Sequence, residues 1–350
     1  MKMTFRWYGS QMDPIPLRYI KQIPNMSGVV SSLMDLPAGA LWPTERIQAL
    51  KQEVQDAGLE LEVIESVNVH EDIKLGLPGR DAYIDRYRTT IERLGQAGVK
   101  VICYNFMPVF DWTRSDLFKP RADGATVLAY DQAVIDKITD PQAFADQIQQ
   151  GAGAFEMAGW EPERMAEIKS LFAQYQSVSH EDLFRNLKYF LEAIIPVCEQ
   201  YDVKMAIHPD DPPVPYLRGI YRPLHSPEGL RKLLAFSDSP SNCLEFCQGT
   251  VSTMRGVNIY EVIEEFAASG RIGYVHFRNT GGTLPRYSEV FIDEGYVNMP
   301  RALGIYRRHG FEGTVIPDHT PQVDAAMPWE TGMAYALGYI RGVMQTMEGC

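Results

Sequence analysis

Near its C-terminus the chain reads Glu312-Gly-Thr-Val-Ile-Pro-Asp-His-Thr320. The β-branched run Thr314 to Ile316 has the composition of a short buried strand, and Pro317, which lacks an N–H, takes the chain out of the ladder. Asp318 and His319 are therefore expected at a strand's C-terminal end. Two earlier stretches repeat the design, Val203-Lys-Met-Ala-Ile-His208-Pro209 and Ile272-Gly-Tyr-Val-His276-Phe-Arg278-Asn279, and a fourth, Asn242-Cys-Leu-Glu-Phe-Cys247, ends in cysteine. A lone histidine at a strand end is more often a hydrogen-bonded structural residue than a ligand. Four coordinating side chains at four such ends argue differently. In one parallel barrel those ends converge on one rim, where His208, Cys247, His276 and Asp318 can meet around a single divalent cation.

Working outward, strands are expected near 4–8, 29–33, 59–65, 99–106, 203–208, 242–247, 272–277 and 314–317, each followed by a helical pattern. Alternating β and α segments imply a parallel sheet, and eight units imply closure into a (β/α)8 TIM barrel. An open doubly wound sheet lacks its Gly-x-Gly-x-x-Gly turn here. The alternation breaks over 107–179, where Trp112-Thr-Arg-Ser115 and Arg121-Ala-Asp-Gly124 read as loop and turn, and 131–149 and 161–175 as helices. Residues 1–350 are thus expected to form a single barrel domain. Its insertion after the fourth strand lies on the rim as a lid, a pocket wall or a dimer contact.

The 350 residues carry a net charge of −12, and 45% are hydrophobic. No Lys/Arg-rich face is evident for phosphate neutralisation, which argues against a nucleic-acid partner. No run approaches the roughly 18 apolar residues of a membrane span, and the N-terminus has no apolar signal core. Five cysteines without disulfide-scaffold spacing suit a reducing compartment, so a soluble cytoplasmic protein is expected. Along the rim, Arg6 is either a buried structural residue or faces the pocket. Asn105 either meets a polyol hydroxyl or holds its own loop, and His70 reads as a rim-loop residue, with a substrate role as the alternative. Asp210 and Asp211 read as surface carboxylates or, more weakly, as acid/base candidates, and Cys103 as a small core residue.

With these stretches in view, the chain resembles the mannonate dehydratase family of hexuronate (glucuronate) degradation, in the xylose-isomerase-like barrel group. The segments that carry the resemblance are Phe5-Arg-Trp-Tyr-Gly9, Ala206-Ile-His-Pro-Asp-Asp-Pro-Pro213, Phe246-Cys-Gln-Gly249, Val275-His-Phe-Arg-Asn279 and Pro317-Asp-His319. The resemblance implies a lyase that converts D-mannonate to 2-dehydro-3-deoxy-D-gluconate and water. It also implies one Mn²⁺ or Fe²⁺ per subunit on His208, Cys247, His276 and Asp318, although thiolate and imidazole by themselves favour zinc. His319 is then the base, beside a ligand without being spent on the metal. Tyr335 is the acid the family comparison suggests, and otherwise a packing tyrosine. Arg278 either pairs with the sugar-acid carboxylate or bridges neighbouring loops. A homo-oligomer, dimer or higher, is expected. The rival readings are a divalent-metal sugar isomerase or epimerase on the same barrel, and a sugar-acid binding protein without activity.

Overall fold

The computed structural model describes residues 1–138 and 168–348. Eight parallel strands close into a barrel: β1 (Lys2–Arg6), β2 (Met26–Ser31), β3 (Glu60–Glu65), β4 (Val101–Tyr104), β5 (Lys204–Ile207), β6 (Asn242–Cys247), β7 (Ile272–His276) and β8 (Thr314–Ile316). Neighbours in sequence are neighbours around the ring. β8 returns to β1, with Lys2 opposite Thr314 and Met3 opposite Val315. The (β/α)8 architecture is the expected one, but β1 and β2 begin two or three residues early. In β2 the reason is Gly28, which breaker rules count against a strand. A Cβ there would fall 2.0 Å from the Glu60 carbonyl oxygen, so glycine is what allows β2 to lie against β3.

Period-two alternation sorts each strand into two faces. Phe246 and Phe277 point outward onto Phe266 and Tyr306 in the helical layer. Glu245, Cys247, Tyr274 and His276 fall on the opposite, inner face. Polar side chains start the surrounding helices: Ser179, Ser226, Asn258 and Asn298 each accept a first-turn backbone N–H. Asp182 completes a capping box with Ser179, which leaves His180 as an ordinary first-turn residue. His70 is a cap as well. Its Nδ1 accepts the Asp72 N–H at 3.1 Å and its ring stacks on Tyr83. Two short helices, Glu71–Leu75 and Gln248–Thr253, carry too little periodicity to be read from sequence, and the last helix begins at Pro328 rather than Met333.

The insertion after β4 departs from expectation. Asp116–Pro120 and Thr126–Asp131 form a hairpin, closed through the Arg121-Ala-Asp-Gly124 turn with Gly124 at φ 90°. A second hairpin after β7, Thr280–Gly281 with Arg286–Glu289, extends it to a four-stranded antiparallel sheet. Of the helices expected at 131–149 and 161–175, a single turn Gln132–Ile135 and the segment Ile168–Tyr175 are seen, and residues 139–167 lie outside the described residues. A second apolar cluster, including Phe110, Tyr130, Phe172, Tyr175, Val214 and Tyr287, fastens this layer to the rim above β4, β5 and β7. Among the described residues no helix is long and apolar enough to cross a membrane.

Candidate metal centre and cavity

His208, Glu245, Cys247 and His276 each offer a donor atom within 4.8 Å of the others, at the C-terminal ends of β5, β6 and β7. Three of these come from the strand-end series. The fourth, Glu245, is not a strand-end residue; it stands two residues before Cys247 and so shares its face, and a carboxylate within an otherwise buried strand is its one local signal. Asp318, the fourth residue of that series, lies beside the group rather than within it. Its Oδ2 is 3.3 Å from His276 Nδ1, and Glu245 Oε1 is 3.5 Å from the same nitrogen. Asp318 has φ 62°, a conformation that aspartate tolerates better than most side chains.

The donor atoms are oriented as a cation would need them. His208 Nδ1 contacts the Pro209 carbonyl oxygen at 2.6 Å; with Nδ1–H as donor, the Nε2 lone pair is directed to the cluster, 3.6 Å from Glu245 Oε2. His276 Nε2 is taken by the Tyr274 hydroxyl at 2.7 Å and by Glu65 at 3.3 Å, a carboxylate–imidazole arrangement that leaves Nδ1 inward. That Nδ1 and Glu245 Oε2 are buried without a hydrogen-bond partner. Orphaned polar atoms of this kind are costly unless something coordinates them, so the residues fit a metal ion.

Charge in the metal-free cluster has a definite sign. Burial lowers the affinity of His208 for its proton, but Glu245 and Cys247 beside it raise the pKa to about 10. Burial pushes Glu245 up to about 8. A cation requires both deprotonated, so metal uptake at pH 7 should release at least one proton, and affinity should climb as pH rises from 7 toward 10. Calorimetric Mn²⁺ titration in two buffers of different ionisation heat counts those protons. Uptake with no proton release would contradict this charge assignment.

Around the cluster runs a buried ionic network. Arg278 contacts Glu289 at 2.8 and 2.7 Å, Asp211 at 3.0 Å, Asp318 at 3.1 Å and the Cys247 sulfur at 3.5 Å. Gly249 makes room for it, since a Cβ would sit 2.5 Å from the arginine side chain. Arg278 thus bridges segments that follow β5, β7 and β8. Its guanidinium is spent on neighbouring loops and does not line the cavity. Asp210 and Asp211 correct the surface reading in the same way. Both are buried, Asp210 against Arg222 and Asp211 in a two-toothed pair with Arg114 at 2.7 and 2.8 Å. Because Arg278 still faces Asp211 and Glu289, Arg114→Met should cost about 3 kcal/mol, the low end for a broken buried pair. Urea unfolding measures this, and a change under 1 kcal/mol would deny the pair a stabilising role.

Above the cluster opens a cavity of about 480 Å³. His208, His276, Asp318, His319, Arg6 and Asn105 line it, and the insertion supplies Asp111, Trp112, Leu117, Phe118 and Leu128. Arg6 pairs with Glu65 at 2.9 Å, and Asn105 Oδ1 accepts the Met107 N–H. Tyr335 is not among the lining residues. It is 48% exposed, and its hydroxyl donates to Asp293 at 2.8 Å, so the structure does not bring it to the other site residues. Tyr8 lines the wall instead, and burial raises its hydroxyl to about 12, which keeps it protonated. Among the described lining residues Arg6 is the only Lys or Arg, against six carboxylates, Asp13, Glu65, Asp111, Asp211, Asp318 and Glu330. Part of that charge is compensated, Glu65 by Arg6, Asp211 by Arg114 and Arg278, and Asp318 by Arg278.

Comparison with known proteins decides the family. The model for D-mannonate dehydratase (UxuA) matches residues 1–350. The chain belongs to the D-mannonate dehydratase family. It is therefore an enzyme of a lyase family. It is 45% identical over 356 residues to the mannonate dehydratase of Geobacillus thermodenitrificans, covering 99% of this chain and 95% of that one. It is 44% identical over 355 residues to that of Thermotoga maritima, covering 99% and 98%. The crystal structure of mannonate dehydratase from Streptococcus suis superposes with a TM-score of 0.86 at 37% identity, covering 98% of this chain and 93% of that one. A D-tagatose 3-epimerase-like protein, at TM-score 0.58 and 14% identity, shares the barrel alone.

Proposed function

We propose that this member of the family dehydrates D-mannonate to 2-dehydro-3-deoxy-D-gluconate, with Mn²⁺ or Fe²⁺ held by His208, Cys247, His276 and Asp318 and with Glu245 against the same site. The observation that carries the reading is the orphaned donor cluster beneath an acidic cavity whose wall presents His319. Carboxylate oxygens beside the thiolate and imidazoles are compatible with manganese or ferrous iron as well as with zinc. When bound, the cation neutralises the substrate carboxylate and acidifies the proton next to it.

The chain's own residues do the rest. His319 takes the C2 proton, and Arg6, with one arm on Glu65, faces the anionic end of the substrate. The 3-hydroxyl has to leave as water, so it needs a proton. Tyr335 points away to Asp293, and Tyr8, a protonated hydroxyl on the cavity wall, takes the donor role in this reading. The insertion supplies Trp112 and Phe118 to one wall of the cavity. Purified protein with D-mannonate, Mn²⁺ or Fe²⁺ and a reductant should accumulate a 2-keto-3-deoxy acid. Isomerised or epimerised sugar in its place would favour the isomerase or epimerase reading, and binding without turnover the binding-protein reading.

A further inference from the structure

One buried carboxylate near the site has no part in that scheme. Glu289 ends the Arg286–Glu289 strand of the hairpin after β7, and it is 1% exposed. Its Oε1 accepts from Arg114 at 3.0 Å and from Arg278 at 2.8 Å, and its Oε2 from Arg278 at 2.7 Å. Two guanidiniums from different elements therefore fix its position as well as its charge. It does not line the cavity. Its Oε1 stands 3.5 Å from His319 Nδ1, and that nitrogen is buried without a formed hydrogen bond. The His319 ring is confined on another side by Trp112, with centroids 5.0 Å apart. His319 Nε2 lies 3.8 Å from Asp318 Oδ1, on the side of the metal cluster.

We propose that Glu289 is a positioning residue for the dehydration: it takes the Nδ1–H of His319, fixes the ring's tautomer, and leaves Nε2 as the basic nitrogen. The contact of 3.5 Å is longer than a made hydrogen bond, and such contacts shorten when substrate closes the site. An anionic acceptor behind an imidazole does two things. It excludes the tautomer whose unprotonated nitrogen faces the wrong way, and it stabilises the imidazolium formed when the base takes its proton. The two arginines keep Glu289 ionised and immobile, so neither benefit is lost to motion of the carboxylate. The inference rests on the reading of His319 as the base.

The test is a double-mutant cycle in the Mn²⁺-saturated enzyme with D-mannonate, using Glu289→Gln, His319→Asn and both together. Glu289→Gln keeps size and loses charge, and either end of its amide can face Nδ1. It should lower kcat about 10-fold to 100-fold, the usual range for an outer partner of a functional histidine, with KM and bound metal within about two-fold. The double variant should be no slower than His319→Asn alone, because Glu289 then has nothing to position. A loss that multiplies with the His319 loss, a parallel loss of metal, or an unchanged kcat would each overturn the proposal. Should Glu289→Gln not fold, Glu289→Asp keeps the charge against Arg114 and Arg278 while drawing it back from His319. It should give a kcat between wild type and His319→Asn, and wild-type kcat there would overturn the proposal. Full turnover by His319→Asn would remove the base reading itself, whereas full turnover by Glu289→Gln beside an inactive His319→Asn would remove only this inference.

Discussion

His319→Asn is expected to keep its metal and its substrate affinity and to lose turnover by about 10²-fold to 10⁴-fold, the contribution of a positioned general base. The ring lies on the cavity wall between Trp112 and Glu289, and it is not one of the residues whose donor atoms cluster for a cation. An amide has comparable reach but no basic nitrogen. Metal content by elemental analysis, KM and kcat, all at saturating metal, separate the roles. Because Asp318 precedes it in the chain, a modest loss of metal affinity is compatible with the assignment. Near-wild-type kcat is not, and would move the base elsewhere on the cavity wall.

The other large effect concerns Cys247. Burial alone would hold its thiol protonated, but Arg278 and then His208 act against that and bring it well below the ordinary thiol range. The side chain is thus a thiolate inside the barrel, fully buried, with the Thr250 hydroxyl donating to it at 3.0 Å. Cys247→Ser replaces an anionic sulfur by a neutral, shorter hydroxyl. Metal affinity should fall at least about 100-fold, beyond what outer partners cost, with activity falling in parallel. Cys198→Ser, in the helix His180–Tyr201 and remote from the cluster, should change neither. An inactive Cys247→Ser protein with a full complement of metal would mean that the cysteine is not a ligand.

Much of this site was legible from local sequence because a parallel barrel has a simple rule: strand ends share a rim. A β-branched run closed by Pro317 marked β8, three largely apolar runs ending in His208, Cys247 and His276 marked β5 to β7, and the residues at those ends had to face one another. His208, Cys247 and His276 were found in this way, and Asp318 and His319 fall beside them. Glu245 was legible in principle from the same alternation. It stands two residues before the strand end, inside a buried run where nothing terminates the ladder, so strand termination does not mark it.

Other features had no local signature. Arg114, Asp211 and Glu289 meet although they come from the insertion, the loop after β5 and the hairpin after β7, and each alone reads as an ordinary surface charge. The four-stranded sheet over the rim pairs residues near 129 with residues near 288, a match that no window of sequence contains. Tyr335 differs again: its helix was expected, but its direction was not, and a half-turn of a helix separates a cavity wall from solvent. By itself, then, the sequence determined the barrel, the strand ends and three members of the donor cluster, because backbone periodicity and strand termination act over a few residues. Only the tertiary structure decided which charges are buried together, which arginine is already spent, and which tyrosine faces the cavity, because those depend on contacts between segments far apart in the chain.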